Sequence, residues 1–137
     1  MMRKSQLRRF LLPLGLLILP IAALLNSGWD LRWIGAYILV VNGLTFLSYR
    51  RDKIRAGSGE WRVPERRLHL LELLGGWPAA WLAREILRHK SAKLSFRIVS
   101  WLIIIAYQLL SLDALLGWPF TEGLVDSIDL ILKSRDS

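Results

Sequence analysis

Between Phe10 and Trp29 the chain carries no charged residue, and from Phe10 to Leu25 it is almost wholly aliphatic, broken only by Pro13, Gly15 and Pro20. About 20 such residues in a helix reach about 30 Å, the thickness of a bilayer's hydrocarbon core, so the stretch reads as a membrane-spanning helix. Arg3, Lys4, Arg8 and Arg9 before it give it the outline of a signal peptide. No Ala-x-Ala-like site follows Leu25 and the run outlasts the usual apolar core, so an uncleaved helix is expected. Pro13 and Pro20 each free one backbone carbonyl, which a neighbouring helix or water must satisfy.

Two further uncharged runs follow. Trp33 to Tyr49 has aromatic residues at both ends, where an interfacial belt puts them, and Asn42 near its middle. An amide there is expected to hydrogen-bond to another helix, with Gly35 and Gly43 allowing a close neighbour. Ile98 to Leu112 reaches spanning length when Phe96, Arg97 and Asp113 lie at its boundaries, and Tyr107, Gln108 and Ser111 give it a polar stripe.

At 53% hydrophobic residues and a mean hydropathy of +0.35, the chain is neither a disordered tail nor an ordinary soluble domain. Three or four spans in 137 residues leave no room for a separate soluble catalytic domain. With no Cys there are no disulfides, thiolate nucleophiles or thiolate metal sites, and no cofactor is expected.

The net charge of +8 divides unevenly: +4 over residues 1–12, zero over 26–32, +7 over 50–97 and −3 over 113–137. By the positive-inside rule the N-terminus and residues 50–97 are cytoplasmic and the C-terminus is outside. Within the basic segment, Pro64 and Pro78 can each open a helix, and Gly75-Gly76 breaks the run between them. Each arm is too short to span. A single span over 68–87 would carry Arg88, His89, Lys90, Lys93 and Arg97 outward against the charge rule, so a helical hairpin dipping in from the cytoplasmic side is expected. Gly75, Gly76, Ala79, Ala80 and Ala83 form a small-residue seam on which another helix can pack. In the tail, Leu124, Val125, Ile128, Ile131 and Leu132 oppose Glu122, Asp126, Asp129 and Lys133, an amphipathic helix that Thr121 can cap.

Glu65-x-x-x-His69 and Glu85-x-x-x-His89 each place a carboxylate and an imidazole on one helix face, with Glu72 three residues beyond His69. The spacing suits an oriented base. Flanking Arg66, Arg67, Arg88 and Lys90 repel a cation, so ion pairing is preferred to a metal site. Arg88, His89, Lys90, Ser91 and Lys93 gather cations and a hydroxyl fit to hold a phosphate, whether of a lipid head group or a metabolite. Asp52, Lys53 and Glu65 are expected to position the hairpin against the second span. No phosphate-binding glycine loop, serine elbow or zinc helix motif is present.

Tyr49-x-x-Asp52-Lys53-x-x-Ala56, Trp61-Arg62-Val63-Pro64-Glu65-x-x-Leu68, Leu74-Gly75-Gly76-x-Pro78 and Arg88-His89-Lys90-Ser91-x-Lys93-x-x-Phe96 together resemble the DUF1294 family of small bacterial membrane proteins, over about residues 35–112. Leu87 and Ser91 stand where the family pattern has Phe and Thr, and Ala79-Ala80 where it has Gly-Ala. Some members add a cold-shock domain that binds nucleic acid; these residues contain none, and direct nucleic-acid binding is not expected. The resemblance implies a bacterial inner (plasma) membrane location and no defined reaction.

The expected fold is all-α, in a single membrane domain of residues 1–137. Three spans lie at about 10–29, 33–49 and 96–116, a re-entrant or interfacial cytoplasmic-side hairpin at 64–90, and an amphipathic helix at 121–134. The first functional reading is recognition of an anionic, phosphate-bearing ligand or lipid head group by the basic hairpin. The second is a small membrane enzyme using His89 or His69 with Glu85, Glu65 or Glu72. The third is a structural protein that packs through the small-residue seam as a homo-oligomer.

Overall fold

Proline sets the shape of the first span. In the computed structural model, which describes residues 4–87 and 93–135, it is a bent rod of two helices, α1 (Lys4–Leu16) and α2 (Ile18–Asn26). Pro13 leaves the Arg9 carbonyl without its helical donor and Pro20 does the same to Leu16. Both carbonyls are recovered from other elements. The Trp81 indole N–H donates to the Arg9 carbonyl at 3.1 Å, and the Gln108 amide donates to that of Leu16 at 2.7 Å. The two proline defects thereby tie the rod to the rest of the fold.

The long helix α3 (Leu31–Ser58) opens on Asp30, whose carboxylate accepts the Arg32 amide at 2.9 Å. It continues past Tyr49 until Gly59, at φ 73°, turns into the left-handed region that favours glycine. After an extended stretch come α4 (Glu65–Leu71), a kinked segment (Glu72–Gly76) that leaves helical geometry at Gly75, and α5 (Trp77–Ile86). The last two helices are α6 (Leu94–Leu115) and α7 (Pro119–Arg135). No strand occurs among the described residues. The rod Leu7–Asn26, α3 and α6 are each long and apolar enough to cross a membrane.

Hydrogen bonds trace the path of α4 and α5 along α3. The Asp52 carboxylate accepts the Val63 amide at 3.1 Å just before α4, and the Lys53 ammonium donates to the Leu87 carbonyl just after α5. The turn between the arms lies instead beside Asn42. Ten residues of α3 separate Asn42 from Asp52, a rise of about 15 Å, or half the thickness of a hydrocarbon core.

The reversal depends on both glycines of the break. Gly75 has φ 112°, closed to L side chains, and Gly76 presses against α3 so closely that an added Cβ would lie 2.0 Å from Thr45 Oγ1. Three carbonyls freed at the reversal are met by side chains. Tyr107 donates to Leu73 at 2.6 Å, Tyr37 to Leu74 at 2.7 Å and Asn42 to Gly75 at 3.2 Å. Asn42 also accepts the Ala79 amide in the first turn of α5, at 3.1 Å, so one side chain caps both arms. The expected close approach at Gly35 and Gly43 is not found, since nothing lies within 4 Å of a Cβ built at either. α3 receives its close neighbour at Thr45, through the glycine of the other element.

α6 ends in a Schellman turn, with Gly117 at φ 86° donating to the Ala114 carbonyl and Trp118 to that of Asp113. The start of α7 is capped by Asp113 and not by Thr121. The Asp113 carboxylate accepts the Phe120 and Thr121 amides at 2.9 and 3.1 Å, and the Thr121 hydroxyl donates to it at 2.5 Å. Asp113 satisfies the amides that the proline-opened first turn leaves free, so the hydroxyl turns outward to donate. Leu124, Val125, Ile128, Ile131 and Leu132 on α7 are all exposed.

Candidate functional site

Beyond Leu68-His69-Leu70-Leu71 the first arm carries a carboxylate into an apolar setting, and Glu72 is fully buried. A buried carboxylate needs a partner for each lone pair, and here they come from four helices. From α3 the Tyr49 hydroxyl donates to Glu72 Oε1; from α5 the Arg84 guanidinium donates to the same oxygen at 3.1 Å; from α6 the Ser100 hydroxyl donates at 3.1 Å. On α4, His69 Nδ1 stands 3.5 Å from Oε2. Arg84 also donates to Ser100 at 2.8 Å and lies 6.0 Å from the centre of the Tyr49 ring. His69 is stacked on Phe96, with ring centres 4.2 Å apart and planes tilted by 33°. Around this hub pack Tyr49, Leu68, Ala80, Ala83 and Phe96, a buried apolar cluster.

The first arm stays helical through Glu72, at φ −59° and ψ −46°, and leaves helical geometry only at Gly75, so Glu72 faces the hub while Gly76 lies against Thr45. No buried side-chain nitrogen or oxygen among the described residues lacks a partner. The hub is closed and complete, as a polar group in an apolar bundle must be.

A second set of contacts lies at the base of the two arms. Asp52 is buried; its carboxylate accepts from Arg62 at 3.3 Å as well as from the Val63 amide. Lys93 donates to Glu65 at 2.8 Å, both side chains being well exposed. That hydrogen bond holds the Glu65 carboxyl below the usual carboxylate range. With its folded value depressed, the pair contributes stability above the ordinary glutamate range and loses it as pH falls through the lowered value.

The sequence-derived candidates therefore part company. Asp52, Lys53 and Glu65 all sit at the base, each bonded to the segment beside it. Glu65 does not meet His69 as the i, i+4 spacing suggests: Lys93 holds Glu65 while His69 turns to Glu72. Glu85 lies 3.8 Å from Arg9. Arg88, His89, Lys90 and Ser91 lie outside the described residues. Gly76, Ala80 and Ala83 are buried, whereas Gly75 serves the reversal and Ala79 faces a cavity. Sequence reasoning does not single out Tyr49, Arg84 and Ser100 as partners of Glu72. The signal for one of them was present: Glu72 and Arg84 are opposite charges, each set in an apolar stretch on either side of the Gly-Gly break. Among the described residues no three His, Asp or Glu side chains gather as metal ligands would.

Apart from Ser100, both sets of contacts fall in a stretch that has known counterparts. The family described as "Protein of unknown function (DUF1294)" matches residues 42–96, from the capping asparagine to the phenylalanine under His69. The "Uncharacterized protein YsdA" of Bacillus subtilis (strain 168) is 34% identical over 64 residues, which are 47% of this chain and 72% of that protein. No solved structure matches the chain. Since the matched stretch runs through the hub and the base of the hairpin arms, and most of that relative is covered, the chain belongs to the DUF1294 family.

Proposed function

We propose that this is a multi-pass protein of the bacterial inner membrane whose basic, cytoplasmic end recognises phosphate-bearing head groups. The observation that supports the reading is the sorting of charge between the two ends of the bundle. Trp81 bonded to Arg9, Asp52 to Val63, Lys53 to Leu87 and Lys93 to Glu65 bring the start of α1, the end of α3 and the start of α6 to one end. There Arg50, Arg51, Arg66, Arg67 and Arg97 are exposed and form no ion pair among the described residues. At the opposite ends of α3 and α6 lie Asp30, with Arg32 beside it, and Asp113, and Glu122 follows in the first turn of α7. Topology alone calls for cations on the cytoplasmic side. A dense, uncompensated set beside a hairpin is also the composition that anionic lipid attracts.

The hub plays the supporting part. With Glu72 fully buried and one of its oxygens already taking three donors, no substrate reaches it in this arrangement, and the acid–base reading of His69 and Glu72 lacks a place for the reactant. The charges of the hub hold the hairpin; the exposed Arg50, Arg51, Arg66, Arg67 and Arg97 at the basic end are the groups that would meet a ligand.

The test is a titration of the purified protein in neutral detergent with phosphatidylglycerol or phosphatidylcholine, read by native mass spectrometry, with soluble glycerol phosphate as a third arm. At about 1 kcal/mol per cation near an anionic surface, replacing Arg66, Arg67, Arg88 and Lys90 together by Gln should weaken phosphatidylglycerol binding by up to about a thousandfold. Phosphatidylcholine binding should change little. Equal binding of the two lipids by the unaltered protein, or by the variant and its parent, would end the proposal.

A further inference from the structure

Between the proline-bent rod and the hairpin lies a cavity of about 360 Å³, open on one side. Its volume is within the range of small-molecule and cofactor pockets. One wall is Phe10 and Leu14 of α1 with Leu17 just after it, and the other is Pro78, Ala79 and Leu82 of α5. Asn42 is the polar side chain at the inner end, and its amide is already committed to Ile38, Gly75 and Ala79. The hollow is half open and its lining is almost wholly apolar, which suits an apolar guest.

Two tethers hold the cavity open. Trp81 grips the Arg9 carbonyl on one side and Gln108 grips that of Leu16 on the other, so the intervening turns of α1 stand off from α5 without collapsing onto it. Both tethers use carbonyls released by prolines, so the bend that makes the hollow also supplies the bonds that fix it. A hollow fixed in advance binds without the cost of ordering its walls.

We infer that this cavity is a binding site for one acyl chain of an anionic phospholipid, whose head group lies at Arg8 and Arg9. The inference rests on the membrane and head-group reading above and assigns it a tail site. The cavity runs from Phe10, next to these two exposed cations at the basic end, inward to Asn42 and the reversal of the hairpin. Its mouth thus has the charge of a head-group site and its depth the chemistry of a hydrocarbon site.

The experiment is native mass spectrometry of the full chain with long-chain phosphatidylglycerol, short-chain phosphatidylglycerol and diacylglycerol, with thermal unfolding as the control for folding. Leu14→Trp and Ala79→Leu, two independent ways to fill the cavity, should each lower retention of one long-chain phosphatidylglycerol per chain at least tenfold, with melting temperature unchanged or raised. Short-chain phosphatidylglycerol should be retained poorly by every variant. If both filled variants retain the long-chain lipid as the parent does, or if the short-chain lipid is held equally well, the tail site is refuted while the head-group reading stands. If the four-Gln variant and an Arg8→Gln, Arg9→Gln variant both keep the lipid and the filled variants lose it, the tail site stands and the head-group reading falls. A second copy of the chain, appearing in place of lipid and lost on filling the cavity, also overturns the inference.

Discussion

Glu72→Ala should be among the most damaging side-chain truncations in this chain. Its removal leaves the Arg84 guanidinium, 17% exposed, without its counter-charge, and strips an acceptor from the Tyr49 and Ser100 hydroxyls. Breaking a buried ion pair from one side costs about 3–5 kcal/mol, because the surviving charge stays desolvated. Arg84→Ala should cost a similar amount for the mirror-image reason. Replacing both partners by apolar residues of similar volume, Glu72→Leu with Arg84→Met, should cost much less than the sum of the two single losses, since no buried charge is then left alone. Unfolding in detergent, followed through tryptophan emission, measures all three. If Glu72→Ala unfolds within about 0.5 kcal/mol of the parent, the range of an ordinary surface change, the hub does not hold the hairpin.

Gly76→Ala should be nearly as severe for a steric reason. The added methyl would stand 2.0 Å from Thr45 Oγ1, 2.9 Å from Thr45 Cβ and 2.7 Å from the Leu71 carbonyl oxygen. The Thr45 hydroxyl is itself bonded to the Val41 carbonyl at 2.7 Å, and the Leu71 oxygen is backbone, so neither is a flexible end that can swing aside. Overpacking of this kind costs about 1–3 kcal/mol where side chains can shift, and more is expected where backbone must move. Thr45→Ala should relieve only part of the loss, because two of the three contacts remain. Gly35→Ala and Gly43→Ala on the same long helix should be tolerated, with nothing within 4 Å of either new methyl. Equal damage at all three glycines would contradict the packing described.

These two sites show how far the sequence can be read. The uncharged runs locate the three long helices because length and charge-free composition leave few other solutions, and Gly75-Gly76 marks the reversal because no other residue adopts φ 112° at ease. Asn42 is legible for a similar reason: an amide in an apolar run needs a partner on another element. What the sequence leaves open is the choice of partner. His69 lies three residues from Glu72 and four from Glu65, and the burial of Glu72 in the hub and the reach of Lys93 to Glu65 decide between them. Gly35, Gly43 and Gly76 are equivalent as letters, and the packing of Thr45 distinguishes them. Thr121 has the composition of a cap, yet Asp113 takes the role because the Schellman turn at Gly117 folds α7 back over the end of α6. Local composition marks where an unusual contact is required, and tertiary geometry chooses who makes it.

We propose that the hairpin enters the membrane from the basic end and returns to it. Because the chain has no Cys, single cysteines placed at Gly57, Arg66, Leu74, Ser95 and Glu122 can be labelled one at a time with a membrane-impermeant maleimide, on intact cells and on inverted vesicles. The expected result is that positions 57, 66 and 95 react only in inverted vesicles, 122 reacts only in intact cells, and 74, at the reversal, is shielded from both sides. Opposite-sided labelling of positions 66 and 95 would show that residues between them cross the membrane, and would contradict the re-entrant arrangement directly.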